Sequence, residues 1–271
     1  MEYNEENHND LGAQELARER GQRAEEVAQW YFRLNGFFLI PGFIVHPDAP
    51  RPTPRTEADL LGVRLSYSTE GVWRRQQGHN FRDGVVPISM TDHDVLTNSA
   101  KVGTVIRHLV AMVEVKAGIC EINGPWSDRS GFNNRPEPTN MERALARVGF
   151  GNRTEVNAAA EKMFEDLRYE GSQFVVQYFA VGRTFSSTLK QAYPKLVQIT
   201  FDEIGTFFGH RFSRFPEKIP GDRDIALWQG FGDKFRWWFE GNASSRRGPS
   251  EIDCQRAIRR YIDSGRCHVV V

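Results

Sequence analysis

The sequence predicts an α/β protein with a central mixed sheet flanked by helices. Three observations indicate this class. A helical apolar pattern precedes the first strand-like segment, the strand-like segments fall into two groups, and helical segments separate these groups. With 271 residues, the chain is long enough to bury a sizeable core.

The first predicted element is a helix over residues 11–35, where apolar residues recur at three- and four-residue spacings. Residues 1–10 are polar and acidic, and we expect them to be disordered. Asn35-Gly36 is a good helix stop. The segment FFLIPGFIVH then predicts a strand, interrupted or bulged at Pro41-Gly42.

An extended loop is expected over Pro47–Pro54, which has four prolines in eight residues. EADLLGVRLSY predicts a second strand, and HLVAMVEVKA predicts a third strand buried on both faces. Residues 66–107, between these two strands, are polar and Gly-containing, and we interpret them as an insertion. Within it we expect a hairpin and a short helix around Val102–His108.

The second half of the chain also contains both predicted helices and predicted strands. A loop over Asn123–Glu137 leads to helices over Thr139–Val148 and Glu155–Tyr169. The remaining predicted elements are the strands QFVVQYFAVG and KLVQITF, the helices Phe201–Phe212, Asp224–Phe239 and Ser250–Ile262, and a strand-like RCHVVV end. We therefore expect a disordered segment at 1–10, a core over 11–200 and a helical C-terminal extension over 201–271 packed on the core.

Charge and composition narrow the function classes. Lys plus Arg and Asp plus Glu both number 35, so the net charge is 0 and any nucleic-acid-binding surface must be local. The acidic N-terminus does not resemble a signal peptide, and no apolar run is long enough to span a membrane. Three cysteines without a CxxC pair favour free thiols. These features indicate a cytoplasmic protein without a membrane partner.

The third strand carries two charges, Glu114 and Lys116, behind an apolar run. Residues two apart on a strand share a face, so both side chains point the same way. Burying two charges needs a reason, because an unpaired buried charge is costly. One reason is a salt bridge to another group. The other is a metal site in which Glu114 is an oxygen ligand and Lys116 faces the substrate.

A second carboxylate favours the metal interpretation. Asp59 precedes the apolar pair of ADLL at the start of the second strand. Mg²⁺ prefers hard oxygen ligands, and one or two carboxylates plus a phosphate suffice to bind it. We expect Asp59, Glu114 and the backbone carbonyl of Val115 to bind Mg²⁺, with Mn²⁺ as a substitute.

These residues resemble the PD-(D/E)xK nuclease superfamily, in its resolvase-like branch. Asp59 in ADLLGV corresponds to the first motif carboxylate, in a hairpin-forming strand, and VEVK corresponds to the second motif. The resemblance makes Glu25, three residues before Ala28, the carboxylate of the opening helix, with Glu26 as the alternative. It covers roughly residues 12–120.

Two departures accompany the resemblance. The spacing from Asp59 to Glu114 is long, which indicates the insertion noted above. Several relatives carry a Gln or a second Lys soon after the motif lysine, whereas here Ala117-Gly118 follow Lys116. Any such helper is therefore missing or comes from elsewhere in the chain.

The resemblance implies a restriction endonuclease-like core and a metal-dependent nuclease that leaves a 5′-phosphate. Asp59, Glu114, Lys116 and Glu25 would be its catalytic residues, and DNA is favoured over RNA as substrate. By analogy, we expect an effector in bacterial defence against foreign DNA that must be restrained in its host and works with a partner protein of the defence system. A partner subunit, oligomerisation or a signal would supply the affinity for nucleic acid that the neutral net charge does not. One alternative is a catalytically silent nuclease-like module that binds nucleic acid or a partner protein. The other is a carboxylate-pair hydrolase acting on sugars, which would not need Lys116.

Overall fold

A computed structural model describes residues 6–45, 56–66, 71–73, 85–87, 94–127, 139–150, 152–214 and 250–265. Several sequence predictions lie outside these residues. The loop at 47–54, the helix at 224–239 and the strand-like C-terminal end do so entirely, and the disordered segment at 1–10 and the loop at 123–137 do so in part, at residues 1–5 and 128–137.

The helices of the described residues follow the predicted order, with two short additions. They are α1 (Glu6–Leu34), α2 (Asp94–Ala100), α3 (Gly124–Ser127), α4 (Asn140–Arg147), α5 (Arg153–Asp166), α6 (Ser187–Ala192), α7 (Phe201–Arg214) and α8 (Glu251–Ser264). The strands are β1 (Phe38–Val45), β2 (Thr56–Arg64), β3 (Gly71–Trp73), β4 (Val85–Pro87), β5 (Lys101–Val102), β6 (Val105–Ile106), β7 (His108–Val115), β8 (Arg168–Glu170), β9 (Phe174–Gly182) and β10 (Val197–Thr200).

The central sheet is mixed, as predicted. Its strand order is β1-β2-β7-β9-β10, and β8 pairs with β9 beside this path. β1, β2 and β7 are antiparallel neighbours, whereas β9 runs parallel to both β7 and β10. The segment between β2 and β7 contributes two small separate pairs, β3–β4 and β5–β6.

Helices cover the sheet on both faces. On one face, which we call the α1 face, α1, α7 and α8 share a core with the odd-numbered residues of β7. On the other, the α5 face, α4 and α5 pack against Val110 and Met112 of β7. Every residue of β7 after His108 is buried. This confirms the prediction of a strand buried on both faces.

Helix boundaries agree with the capping residues in the sequence. Thr139 caps α4 in a capping box with Glu142, and Ser250 caps α8 by accepting from the amide of Asp253. α1 begins at Glu6, so residues 6–10 are helical and the expected disorder there was wrong. Residues 12–19 of α1 are exposed, and the buried positions begin at Ala24.

Several local predictions need correction. Of the two alternatives at Pro41-Gly42, only the bulge was wrong. The pairs Pro41–Leu60 and Phe43–Ala58 keep one register, so no residue is inserted, but the ladder skips Gly42, whose φ of 58° is left-handed.

The short helix expected around Val102–His108 is instead a hairpin that turns at Gly103, with φ of 60°. The helix of this region, α2, lies earlier. α5 ends at Asp166, because Leu167 adopts a left-handed conformation, and Tyr169 therefore lies in β8 rather than in the helix.

Candidate active site

Asp59 and Glu114 meet across neighbouring strands. The last antiparallel pair between β2 and β7 is Leu60–Val113, and one further step along the same register places Asp59 opposite Glu114. The amide N–H of Val115 donates to Oδ2 of Asp59 at 2.6 Å. The structure therefore brings together two residues that are 55 positions apart in the sequence.

Glu114 is buried and its charge is paired. Its side chain is 1% exposed, and its Oε1 lies 2.5 Å from the ammonium of Lys116, whose side chain is 39% exposed. A buried carboxylate is tolerated when a partner charge and hydrogen bonds replace water. Both explanations for the two charges in this strand therefore remain compatible, because the ion pair and a cation site would use the same carboxylate.

Tyr178 supplies a group that the sequence analysis did not identify. The parallel pairing of β7 with β9 matches Met112 with Tyr178. The buried Tyr178 hydroxyl lies 3.5 Å from Oε2 of Glu114, at the limit of a hydrogen bond. In QFVVQYFAVG this tyrosine is indistinguishable from a core residue, and only the strand register reveals its neighbour.

The electrostatics of the site favour a proton or a cation on Glu114. Burial, and then the negative charge of Asp59, raise the pKa of Glu114 to about 7, while Lys116 and Tyr178 act in the opposite direction. Burial alone would lower the pKa of Lys116. Its hydrogen bond to Glu114 and the nearby carboxylates outweigh burial and raise that pKa. Lys116 is therefore an ammonium at neutral pH.

The donor set at this point suits a hard divalent cation. In an extended strand the N–H and C=O of one residue point to the same side, so the Val115 carbonyl faces β2, as its N–H does. Two carboxylates and a carbonyl are ligands of the type that Mg²⁺ takes alongside water and phosphate. The described residues contain no group of three or more His, Cys, Asp or Glu side chains placed to bind a metal ion.

The helix carboxylate predicted from the resemblance lies elsewhere. α1 packs on the α1 face, whereas Glu114 points to the α5 face with Met112 and Tyr178. Glu26 accepts a hydrogen bond from the Tyr261 hydroxyl of α8 at 2.5 Å. Glu25 is half-buried, and the described structure does not bring it into a three-carboxylate group with Asp59 and Glu114.

The chain beyond β7 closes the carboxyl edge of the sheet. The Lys116 amide donates to the Val181 carbonyl at 2.9 Å, and Ile119 forms a parallel bridge with Thr184. Gly182 is required here, because an added Cβ would lie 2.7 Å from the backbone nitrogen of Cys120. Residues 116–120 thus stay beside β9, so Lys116 sits at the edge where β7 and β9 end.

Trp126 is fully buried on the α5 face. Its position agrees with a core role rather than with stacking on a base.

Comparisons with protein-family models, curated proteins and solved structures found no match to this chain. In the part of the chain that the structure describes, no helix combines the length and apolar character needed to cross a bilayer.

Proposed function

We propose that this protein is a metal-dependent nuclease that hydrolyses phosphodiester bonds, with DNA favoured over RNA as substrate. The observation that carries the proposal is the meeting of Asp59, buried Glu114 and Lys116 at one edge of the sheet. A carboxylate pair beside a lysine combines ligands for a hard cation with a donor for a phosphate oxygen.

The fold supports the same proposal. Asp59 lies in the second strand of the β1–β2 hairpin, and Glu114 and Lys116 lie at the end of the next strand of the sheet. This is the arrangement that the resemblance to PD-(D/E)xK nucleases implies. We extend the proposal to a restriction endonuclease-like core that includes α1 and the strands β1, β2, β7 and β9.

Each residue has a distinct part in the proposed reaction. Asp59, Glu114 and the Val115 carbonyl would bind Mg²⁺, which supplies Lewis-acid activation of water and phosphate when bound. Lys116, being an ammonium, would donate to a non-bridging phosphate oxygen and stabilise its charge, rather than accept a proton from water. Tyr178 would act through Glu114 as a positioning residue.

The ion pair leaves Lys116 able to contact a substrate. Its ammonium has three N–H donors, so it can contact a phosphate oxygen while one donor stays on Oε1 of Glu114, and it can contact the phosphate more fully once it leaves Oε1. The 39% exposure of the Lys116 side chain gives it room to turn toward solvent and substrate. A cation on Glu114 would replace the charge that Lys116 provides, so binding at the carboxylates favours release of the lysine.

Nicking of supercoiled plasmid with Mg²⁺ tests the proposal. We expect wild-type protein to cut, and Asp59→Asn, Glu114→Gln, Lys116→Gln and chelator-treated wild type to be inactive. Glu165→Gln removes an exposed carboxylate whose ion-pair partner among the described residues is Lys162, and should cut normally. Cutting by wild type that survives the chelator, or by Glu114→Gln, contradicts the proposal.

Calorimetry with Mg²⁺ or Mn²⁺ separates catalysis from binding. We expect heat of binding in wild type and Lys116→Gln, and none in Glu114→Gln. Wild type that binds DNA but neither binds these cations nor cuts would instead identify a catalytically silent binding module. Chelator-resistant hydrolysis of sugars would identify the other alternative.

A further inference from the structure

Three arginines gather on the α1 face at the sheet edge that also carries Lys116. Arg20 and Arg23 lie on α1, and Arg183 follows the last residue of β9. All three surround the end of α8, where Asp263 accepts from Arg20 and Arg183, and the Ile262 carbonyl accepts from Arg23. We call Arg20, Arg23 and Arg183 the arginine cluster.

The positive charge of the arginine cluster exceeds its local negative charge. Arg20 and Arg183 share a single carboxylate oxygen, Oδ1 of Asp263. Arg23 pairs with Glu19 at 3.1 Å, and the side chain of Glu19 is 48% exposed. In these ion pairs, three guanidinium groups therefore share two carboxylates, and the exposed Glu19 side of the Arg23 pair is screened by salt.

The cluster also has donor groups without acceptors. In the described part of the chain, Nε of Arg20, Nη2 of Arg23 and Nε of Arg183 are buried and have no hydrogen-bond partner. A buried donor without an acceptor costs free energy, so the acceptors of the described residues do not satisfy this cluster. An incoming acceptor would be reached by the exposed parts of Arg20 and Arg183 and not by these buried nitrogens. Guanidinium groups match phosphate oxygens in charge and in the geometry of their paired N–H groups.

The arginine cluster lies close to Lys116 along the sheet, because Arg183 follows β9 where Lys116 follows β7. The pair Val115–Val181 is the last of the β7–β9 ladder, and two further steps along that register place Ala117 beside Arg183. Adjacent strands lie about 5 Å apart, so the backbones of Lys116 and Arg183 are close neighbours. Their side chains leave opposite faces of the sheet, and both leave it at its carboxyl edge.

We propose that the arginine cluster binds the phosphate backbone of a nucleic-acid strand that crosses this edge, next to the phosphodiester contacted by Lys116. The inference rests on the proposed nuclease function and names where its substrate is held. Arg20 and Arg183, 39% and 31% exposed, can reach a phosphate directly, while Arg23, 15% exposed, supports them. This local surplus would let a chain of net charge 0 bind a polyanion.

Fluorescence anisotropy of a short labelled DNA duplex, in chelator and over a range of salt concentrations, tests the inference. Arg20→Gln and Arg183→Gln should each weaken binding several-fold and reduce the slope of log affinity against log salt by roughly 1. Lys162→Gln is the matched control. It removes an exposed positive charge near the end of α5, the helix that precedes β8, and should leave the slope unchanged.

Asp263→Asn provides a test in the opposite direction. It keeps all three arginines and removes the carboxylate that two of them share, so a phosphate-binding cluster should bind DNA more tightly. If the cluster only joins α1, α8 and β9, the variant should lower the melting temperature without tightening DNA binding. Melting curves of all variants identify any loss of folding.

The outcomes separate this inference from the nuclease proposal. If the salt slopes of Arg20→Gln and Arg183→Gln are unchanged and plasmid cutting is normal, phosphate binding by the arginine cluster is contradicted and the nuclease proposal stands. If the slopes are reduced but the wild-type protein cuts no plasmid, phosphate binding by the cluster is supported and the nuclease proposal is contradicted. A wild type that binds no DNA, single-stranded or duplex, overturns the cluster.

Discussion

The hydroxyl of Tyr178 lies 3.5 Å from Oε2 of Glu114, although 64 positions separate the two residues in the sequence. The parallel register of β7 and β9 produces this contact. It pairs Tyr178 with Met112, which lies two positions before Glu114 and on the same face of β7. The buried carboxylate consequently has neighbours from three parts of the sheet. Lys116, just after β7, pairs with it, the Tyr178 hydroxyl of β9 lies at hydrogen-bond distance, and the negative charge of Asp59 in β2 repels it.

The stability of the metal-free protein should depend on the protonation of Glu114. Its pKa is raised from 4.5 to about 7 in the folded state. The folded protein therefore binds this proton more tightly than the unfolded chain does, and stability falls as pH rises between these values. Such a shift corresponds to on the order of 3 kcal/mol.

Glu114→Gln removes this ionisation. In chelator, the melting temperature of Glu114→Gln relative to wild type should therefore be higher at pH 8 than at pH 5. Glu165→Gln, which changes an exposed carboxylate, should show no such difference between the two pH values. An equal effect of Glu114→Gln at both pH values would show that the carboxyl titrates normally.

If the protein has the proposed nuclease activity, Tyr178→Phe should alter the pH dependence of DNA cleavage. The Tyr178 hydroxyl lowers the pKa of Glu114, so its removal should raise that pKa. The acid limb of the pH–rate profile should then move to higher pH, with little change in rate at pH 9. A uniform loss of rate at every pH would instead indicate that the tyrosine is needed only for packing.

Gly182→Ala should disturb the edge of the site. The added methyl group would lie 2.7 Å from the Cys120 nitrogen and 2.9 Å from the Gly118 carbonyl oxygen, both backbone atoms. Overpacking of this kind costs about 1–3 kcal/mol. Urea denaturation should show the loss, and plasmid cutting should fall because residues 116–120 must move.

Gly118→Ala is the control for this substitution, since an added Cβ at Gly118 meets nothing within 4 Å. Its free energy of unfolding should stay within about 0.5 kcal/mol of wild type. Equal losses in the Gly118 and Gly182 variants would contradict the close approach between β9 and the segment after β7.

Gly205→Ala should weaken the contact between α7 and α8. Its Cβ would lie 2.7 Å from Cα of Gln255, so the two helices would have to separate. We expect a loss of about 1–3 kcal/mol in urea denaturation. Gly12→Ala, at an open and exposed position of α1, should instead leave stability unchanged or raise it by up to about 1 kcal/mol. A stable Gly205→Ala protein would contradict the close packing of these helices.

Periodicity and capping residues predicted most of the core elements. The apolar spacing over residues 11–35 identified α1, and the uninterrupted apolar run of β7 indicated burial on both faces. Thr139 and Ser250 marked helix starts correctly, because a cap acts through local hydrogen bonds. The errors fell where local signals compete, as at Gly103, whose left-handed conformation turns a hairpin in a segment that we expected to be helical.

The candidate site was predictable only in part. The spacing of Glu114 and Lys116 is local, and their contact follows from the two-residue period of a strand. The partner of Asp59 and the approach of Tyr178 depend on strand order and register, which a single sequence does not specify. The arginine cluster could not be predicted from the sequence for the same reason. Its residues come from α1 and the end of β9 and meet at α8, and these elements are far apart in the chain.

The place of β7 at the middle of the sheet also bears on the order in which the chain is synthesised. β7 is buried by β2 on one side, by β9 on the other and by helices on both faces. A growing chain that has released only β1, β2 and β7 lacks the neighbours that exclude water from Glu114. Parallel pairing with β9 also requires closure across α4 and α5, a non-local step that is slow to form. A nascent chain on the ribosome therefore has Asp59 and Glu114 long before it has the buried environment that shifts the ionisation of Glu114.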